Sequence, residues 1–271
     1  MFQGVDQGLE GLTAQTLGGV TCVLADIDDT ITTEGRLTAG AYGALERLQE
    51  AGFTVVPVTG RPAGWCDLIA RFWPVAGVVG ENGAFYFRYD RAAKVMRAHH
   101  ALTQEARARN RRRLDDLAQL ILADVPGCAL ASDQPYRIAD LAIDFCEDVP
   151  PLPASSVDRI LSLFAAAGAT AKASSIHVNG WFGDWDKLTM ARRFLEHEFG
   201  MTGEALDRSV VYVGDSPNDE PMFAAFPLSV GVANVRRHMA RMRHLPPHIT
   251  RGEGGAGFVE LAEHLIAARR A

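Results

Sequence analysis

The sequence predicts an α/β fold, a doubly wound (Rossmann-like) parallel sheet interrupted by an inserted α+β module. Three observations carry this. Short, β-branched apolar runs alternate with helical patterns over residues 20–80 and again from 186 onward, and such alternation builds parallel sheets with right-handed crossovers. Over residues 84–180 the strand-like segments instead alternate apolar and polar residues, the mark of a sheet with one solvated or site-facing surface. The length of 271 residues corresponds to two domains of ordinary size, or to one large α/β domain carrying an insertion.

Residues 20–25 (VTCVLA) are nearly all apolar and end at Asp26, as a strand buried on both faces reads. Thr38 caps AYGALERLQEAG, in which Tyr42, Leu45 and Leu48 recur at helical spacing and Gly52 stops the helix. FTVVPV (53–58) is a second buried strand, Pro62 takes the first helical position of AGWCDLIARF, and 75–80 is a third strand. After Glu81-Asn82-Gly83, the segments AFYFRY and AKVMRA read as a hairpin. A long helix (102–124), the alternating strand IADLAIDF, a helix (153–167) and the alternating strand SSIHVNG follow. The parallel pattern then resumes with a helix over 186–199, the strand SVVYVGD, a helix near 217–224, the strand PLSVGV and a last helix near 257–268. The predicted division is a discontinuous core, 1–83 and 181–271, with an insertion at 84–180.

Composition excludes several classes. The chain carries 27 Lys+Arg against 33 Asp+Glu, a net charge of −6, which argues against wholesale binding of a nucleic-acid backbone. The arginine-rich stretch at 107–113 reads as the solvated face of a helix or as an anion-attracting rim. No apolar run approaches the roughly 20 residues that span a bilayer, so no membrane partner is expected. The four cysteines form no C-x-x-C pair and the eight histidines no H-E-x-x-H, so neither zinc nor a disulfide framework is signalled. The first residues are acidic where a secretory leader is basic and lack an apolar stretch, so a cytoplasmic protein is expected, as monomer or homodimer.

Four polar clusters interrupt the apolar frame, each where a predicted core strand ends or a helix begins, and in an open α/β sheet such positions converge on one crevice. The first is Asp26-Ile27-Asp28-Asp29-Thr30. Carboxylates at i and i+2 of an extended stretch point to the same side and repel unless a cation or proton intervenes, although an acidic turn or helix cap would also explain them. The second, Thr59-Gly60-Arg61-Pro62, joins a hydroxyl, a glycine N–H and a helix N-terminus into an anion site; Arg61 is a further clamp or a surface pair, and a plain helix cap is the alternative. The third is Lys187, in a first helical turn where a cation is locally unfavourable, answering either a buried anion or its neighbours Asp184 and Asp186. The fourth is Gly214-Asp215-Ser216-Pro217-Asn218-Asp219, whose acids offer hard oxygen ligands suited to Mg²⁺.

Taken in order, D-x-D-x-T, T-G-R-P, a distant lysine and G-D-S-x-N-D resemble the haloacid dehalogenase (HAD) superfamily of aspartate-nucleophile phosphohydrolases. The insertion after Glu81-Asn82-Gly83-Ala84, with the later S-V-G-V-A-N-V and I-T stretches, resembles the Cof-type branch with a type IIB cap. The resemblance implies that Asp26 attacks the phosphoryl group to form an aspartyl-phosphate, and that Asp28 protonates the leaving oxygen and then activates water. It implies that Thr59 and Gly60 hold phosphoryl oxygens and Lys187 neutralises charge, with Arg61, Asn82 and Asn218 among the substrate-binding positions. It further implies Mg²⁺ held by Asp26, the Asp28 backbone carbonyl and Asp215, with Asp219 bound directly or through water. Asp29 stands where these sequences commonly carry glycine.

In such proteins the cap supplies specificity, which directs attention to the last alternating strand. Ser175, His177 and Asn179 share one face there and can read sugar hydroxyls, or they form a solvent-facing edge. Trp181 and Trp185 suit core or hinge packing more than sugar stacking. The expected function is Mg²⁺-dependent hydrolysis of a small phosphorylated metabolite, a sugar phosphate or glycosyl-phosphoglycerate; the alternatives are a phosphosugar mutase resembling phosphomannomutases and a non-catalytic sugar-phosphate-binding module.

Overall fold

The computed structural model describes residues 8–174 and 176–270. In chain order the elements are α1 (Ala14–Leu17), β1 (Cys22–Ala25), α2 (Ala39–Glu50), β2 (Thr54–Pro57), α3 (Ala63–Phe72), β3 (Val78–Gly80), β4 (Phe85–Asp90) and β5 (Val95–His100). Next come α4 (Gln104–Asp124), β6 (Ala129–Leu130), β7 (Leu141–Asp144), α5 (Ala154–Ala166), β8 (Thr170–Ala173) and β9 (His177–Trp181). The chain continues through α6 (Lys187–Phe199), α7 (Gly203–Ser209), β10 (Val210–Gly214), α8 (Glu220–Ala225), β11 (Leu228–Gly231), β12 (His248–Ile249) and α9 (Gly254–Arg270).

The central sheet is parallel, in the order β12-β11-β10-β1-β2. From β1 the chain moves to β2 on one side, and its later strands build out on the other, which opens a crevice at the carboxyl end of β1. Both faces are covered, as the unbroken apolar run of β1 requires. Val23 and Ala25 pack with Leu45 and Leu48 of α2 and Phe258 and Leu261 of α9, while Cys22 and Leu24 pack with Met190 and Phe194 of α6 and Tyr212 of β10. Thr38 caps α2 as expected, accepting from the Ala41 N–H. Pro62 is the N-cap of α3 rather than its first helical residue.

The third core strand departs from the expectation of a further parallel neighbour. β3 meets Val58, the residue after β2, in a single parallel bridge through Val79, but its continuous pairing is antiparallel, with β4. The physical cause is the turn that follows it: Glu81, Asn82 and Gly83 all have positive φ (43°, 54° and 103°), which reverses the chain at once. A side chain at position 83 would collide with the Asp186 carbonyl, so only glycine fits. The hairpin β4–β5 follows directly from this turn, and its Phe85 and Tyr86 are buried in the core clusters.

A second, antiparallel sheet runs β6-β7-β9-β8. One face meets α4 and α5 in a separate apolar cluster that includes Leu114, Ile121, Leu141, Ile143, Phe164 and Val178. On the other face, register sets Asp144 opposite His177 and Ala142 opposite Asn179. Strands β6 and β12, of two residues each, and the short β8 and α7 carry too little periodicity to be read from sequence.

Candidate active site

The four clusters converge. Asp26 follows β1, Thr59 follows β2, Asp215 follows β10, and Lys187 opens α6, where Asp186 caps the helix by accepting from the Thr189 N–H at 2.7 Å. Lys187 does not answer Asp184 or Asp186. Its Nζ lies 2.6 Å from Asp26 Oδ1 and 2.9 Å from Asp219 Oδ1, and all three side chains are buried. Asp219 is saturated: Oδ1 also accepts from Tyr212 OH at 2.5 Å, and Oδ2 accepts the N–H groups of Asp215 (3.0 Å) and Ser216 (3.2 Å). Gly214 makes this possible, because a Cβ there would stand 2.5 Å from Asp219 Oδ2. Asp215 is held by Thr30 Oγ1 at 3.4 Å and by Asn234 Nδ2 at 3.2 Å.

Carboxylate oxygens of Asp26, Asp215 and Asp219 lie within 4.8 Å of one another. Three buried acids face one buried ammonium, an imbalance that a dication of oxygen preference offsets. Burial pushes the Asp26 and Asp215 carboxyls well above the usual carboxylate range, with the neighbouring acids adding to the rise and Lys187 opposing it. The donor set thus fits a hard divalent ion. Asp26 and Asp215 retain acceptor capacity for it, whereas the oxygens of Asp219 are committed to four protein donors.

The phosphate-sized hollow beside this cluster is lined by Asp26, Asp28, Gly60, His177, Asn179 and Asn218, among others. Thr59 is fully buried, its Oγ1 accepting from the Arg61 N–H at 3.0 Å. The Gly60 N–H donates to no protein acceptor among the described residues. Asn82, 4% exposed, packs beside Gly60.

Arg61 is placed as a bridge. Its Nε donates to both oxygens of Asp28 (2.9 and 3.1 Å), its Nη2 to Glu147 Oε1 (2.8 Å), and its Nη1 lies 3.5 Å from Asp133. Burial alone would make the guanidinium easier to discharge, but Asp28 and Glu147 hold it charged. Trp65 stacks beneath it, 4.5 Å from the guanidinium carbon. Glu147, which sequence reasoning missed, belongs to a loop folded by Asp144, whose carboxylate accepts the N–H groups of Cys146, Glu147 and Asp148. It also meets His177 Nε2 at 2.9 Å, and the bonds from His177 and Arg61 hold its carboxyl down at about 2.

A second bridge runs through Glu81. Its carboxylate accepts the Ala63 N–H from α3 and the N–H groups of Ile138, Ala139 and Asp140 from the loop before β7, at 2.7–3.2 Å. Arg137 reinforces the join by donating to the Gly60 carbonyl (2.8 Å) and pairing with Asp133 and Asp140. Asn179 donates to Asp140 at 2.9 Å. His177 and Asn179 are therefore buried against the crevice rather than at a solvent edge; Ser175, expected beside them, lies outside the described residues. Trp181 and Trp185 stack on one another in the core. In the arginine-rich stretch, Arg109 and Arg112 are exposed while Arg113 covers Phe182. No helix among the described residues is long and apolar enough to cross a membrane.

Residues 23–109 match the family model of the haloacid dehalogenase-like hydrolases. No curated protein sequence matches the chain. Among solved structures, the C-terminal domain of trehalose-6-phosphate phosphatase from C. albicans is similar with a TM-score of 0.71 at 14% identity, over 98% of this chain and 99% of that one. A haloacid dehalogenase-like hydrolase from Bacteroides thetaiotaomicron gives 0.64 at 17% identity, over 91% and 99%. The Synechocystis sucrose-phosphatase, solved with sucrose and phosphate, gives 0.62 at 15% identity, over 90% and 97%. Residues 23–109 are thus similar in sequence to the haloacid dehalogenase-like hydrolases, and the described chain shares the fold of these solved structures.

Proposed function

We propose that the protein is a Mg²⁺-dependent phosphomonoesterase acting on a small sugar phosphate through an aspartyl-phosphate. The observation that carries this reading is the buried Asp26–Lys187–Asp219 chain at the carboxyl end of β1, beside Asp215 and open to the hollow lined by Gly60. Asp26 attacks phosphorus as the bond to the leaving oxygen breaks, and Asp28 gives that oxygen a proton. Asp28 then takes a proton from water, which attacks phosphorus and releases inorganic phosphate and the Asp26 carboxylate. Thr59 and the Gly60 N–H hold phosphoryl oxygens, and Lys187 offsets their charge. Asp26, Asp215 and the Asp28 carbonyl would hold Mg²⁺, which supplies charge neutralisation to the transferring group. Asp219 acts by fixing Lys187 and Asp215, and Arg61 by orienting Asp28.

The division into a core (1–83 and 181–271) and a cap (84–180) is part of the same proposal, with the hairpin β4–β5 packed on the core side. Asn82, His177, Asn179 and Asn218 line or flank the substrate space, and the fold neighbours that act on trehalose and sucrose phosphates support a sugar leaving group. The test is phosphate release from a panel of sugar phosphates, phosphoglycolate, glycosyl-phosphoglycerates, nucleotides and pyrophosphate, with Mg²⁺ or EDTA. The reading predicts Mg²⁺-dependent release from sugar phosphates; mutase activity seen only with a bisphosphate activator, or binding without turnover, would replace it.

A further inference from the structure

Resting on the phosphatase reading, we infer that Asp29 makes this site select against leaving groups that carry their own negative charge. Beyond Asp28 and Arg61 the crevice opens into a cleft of about 480 Å³, lined among others by Asp29, Glu34, Glu147, Arg237 and Glu253. This space adjoins the phosphate-sized hollow, since Asp28, Arg61 and Ile176 line both. A leaving group attached to the phosphate therefore projects into it.

The charges of that cleft do not balance. Five carboxylates line it against two guanidiniums, and both guanidiniums are occupied: Arg61 by Asp28 and Glu147, Arg237 by Glu253 at 2.7 Å. Among the described residues no basic side chain lies within ion-pair distance of Asp29 or Glu34. The Asp29 backbone adds an independent observation. Its φ of 54° lies in the left-handed region, where a side chain costs about 1 kcal/mol relative to glycine. The Asn234 amide fixes this conformation by donating to the Asp29 carbonyl at 3.0 Å. A carboxylate thus occupies, at a cost, a position for which glycine is conformationally best suited, and it faces the space of the leaving group. Neutral polyols and sugars meet hydrogen-bonding groups there without a charge penalty. A leaving group bearing a carboxylate or a second phosphate meets uncompensated negative charge.

The experiment compares matched substrates in the Mg²⁺-loaded enzyme: glycerol 3-phosphate against 3-phosphoglycerate, and glucose 6-phosphate against 6-phosphogluconate. The wild type is expected to favour the neutral member of each pair in kcat/KM by about tenfold or more. Asp29→Gly and Asp29→Asn, both compatible with positive φ, should shrink that ratio by roughly threefold to tenfold, the effect of one unit charge across partly solvated protein. They should do so by raising kcat/KM for the charged member. Salt should shrink the wild-type ratio in the same direction. A wild-type preference for the charged members, or a ratio unmoved in both variants, overturns the inference while leaving the phosphatase reading intact. Absence of phosphate release from every compound, p-nitrophenyl phosphate included, overturns both.

Discussion

Replacing Glu81 by glutamine removes one oxygen from a carboxylate that four buried or half-buried N–H groups share. Oε1 accepts from Ala63 and Ile138, and Oε2 from Ile138, Ala139 and Asp140. The amide can be turned either way, and neither way serves all of them. With nitrogen in place of Oε2, the Ala139 and Asp140 N–H groups face a donor; with nitrogen in place of Oε1, Ala63 does, and Ile138 keeps only its longer bond. One to two buried donors are left without an acceptor, at about 1–3 kcal/mol each, so Glu81→Gln should destabilise by about 1–6 kcal/mol. The loss is local in origin, because Glu81 joins α3 to the loop before β7. The assay is urea unfolding of both proteins, paired with amide hydrogen exchange at residues 138–140. The expected result is a lower midpoint with early loss of protection at those amides. A change under about 0.5 kcal/mol with unaltered protection would refute the assignment of Glu81 as the acceptor that docks this loop.

Tyr212→Phe removes a donor from Asp219 Oδ1 while leaving Lys187 there; it should cost about 1–2 kcal/mol in urea unfolding and lower kcat more than it raises KM. Glu147 titrates below its ordinary value, held down at about 2 by His177 and Arg61. Its contribution to stability is therefore complete above about pH 4.5 and lost as pH falls from there toward about 2. The gap in urea midpoint between wild type and Glu147→Gln should close across that window; a gap independent of pH would count against the Arg61–Glu147–His177 bridge.

The sequence shows most of the core and of the chemistry because both obey short-range rules. The apolar run ending at Asp26 and the acids at 215 and 219 sit at strand ends, where loop position alone determines that they converge. The long-range partners are not legible in this way. Glu147 and Arg137 look like ordinary surface charges in sequence, and only the docking of the second sheet brings them onto Asp28, Arg61 and Gly60. Arg61 shows the limit from the other side: its motif left open a substrate clamp or a surface pair, and the fold buries its guanidinium at the edge of the hollow against Asp28, Glu147 and Asp133. The hairpin β4–β5 shows a backbone cause. The run of three positive φ values at 81–83 reverses the chain and draws the hairpin onto the core, and of those residues Asn82 and Gly83 signal it by type while Glu81 does not. The departure at Asp29 was visible in sequence, but its meaning depends on a φ of 54° and a cleft that only the fold reveals.

The most direct test of the account is to quench Mg²⁺-loaded enzyme with acid during turnover of a sugar phosphate and to weigh the peptide containing Asp26. The wild type is expected to carry a hydroxylamine-labile phosphoryl group on that peptide, and Asp26→Asn to show neither adduct nor turnover. Sustained hydrolysis by Asp26→Asn, or a phosphoryl group trapped on another residue, would contradict it.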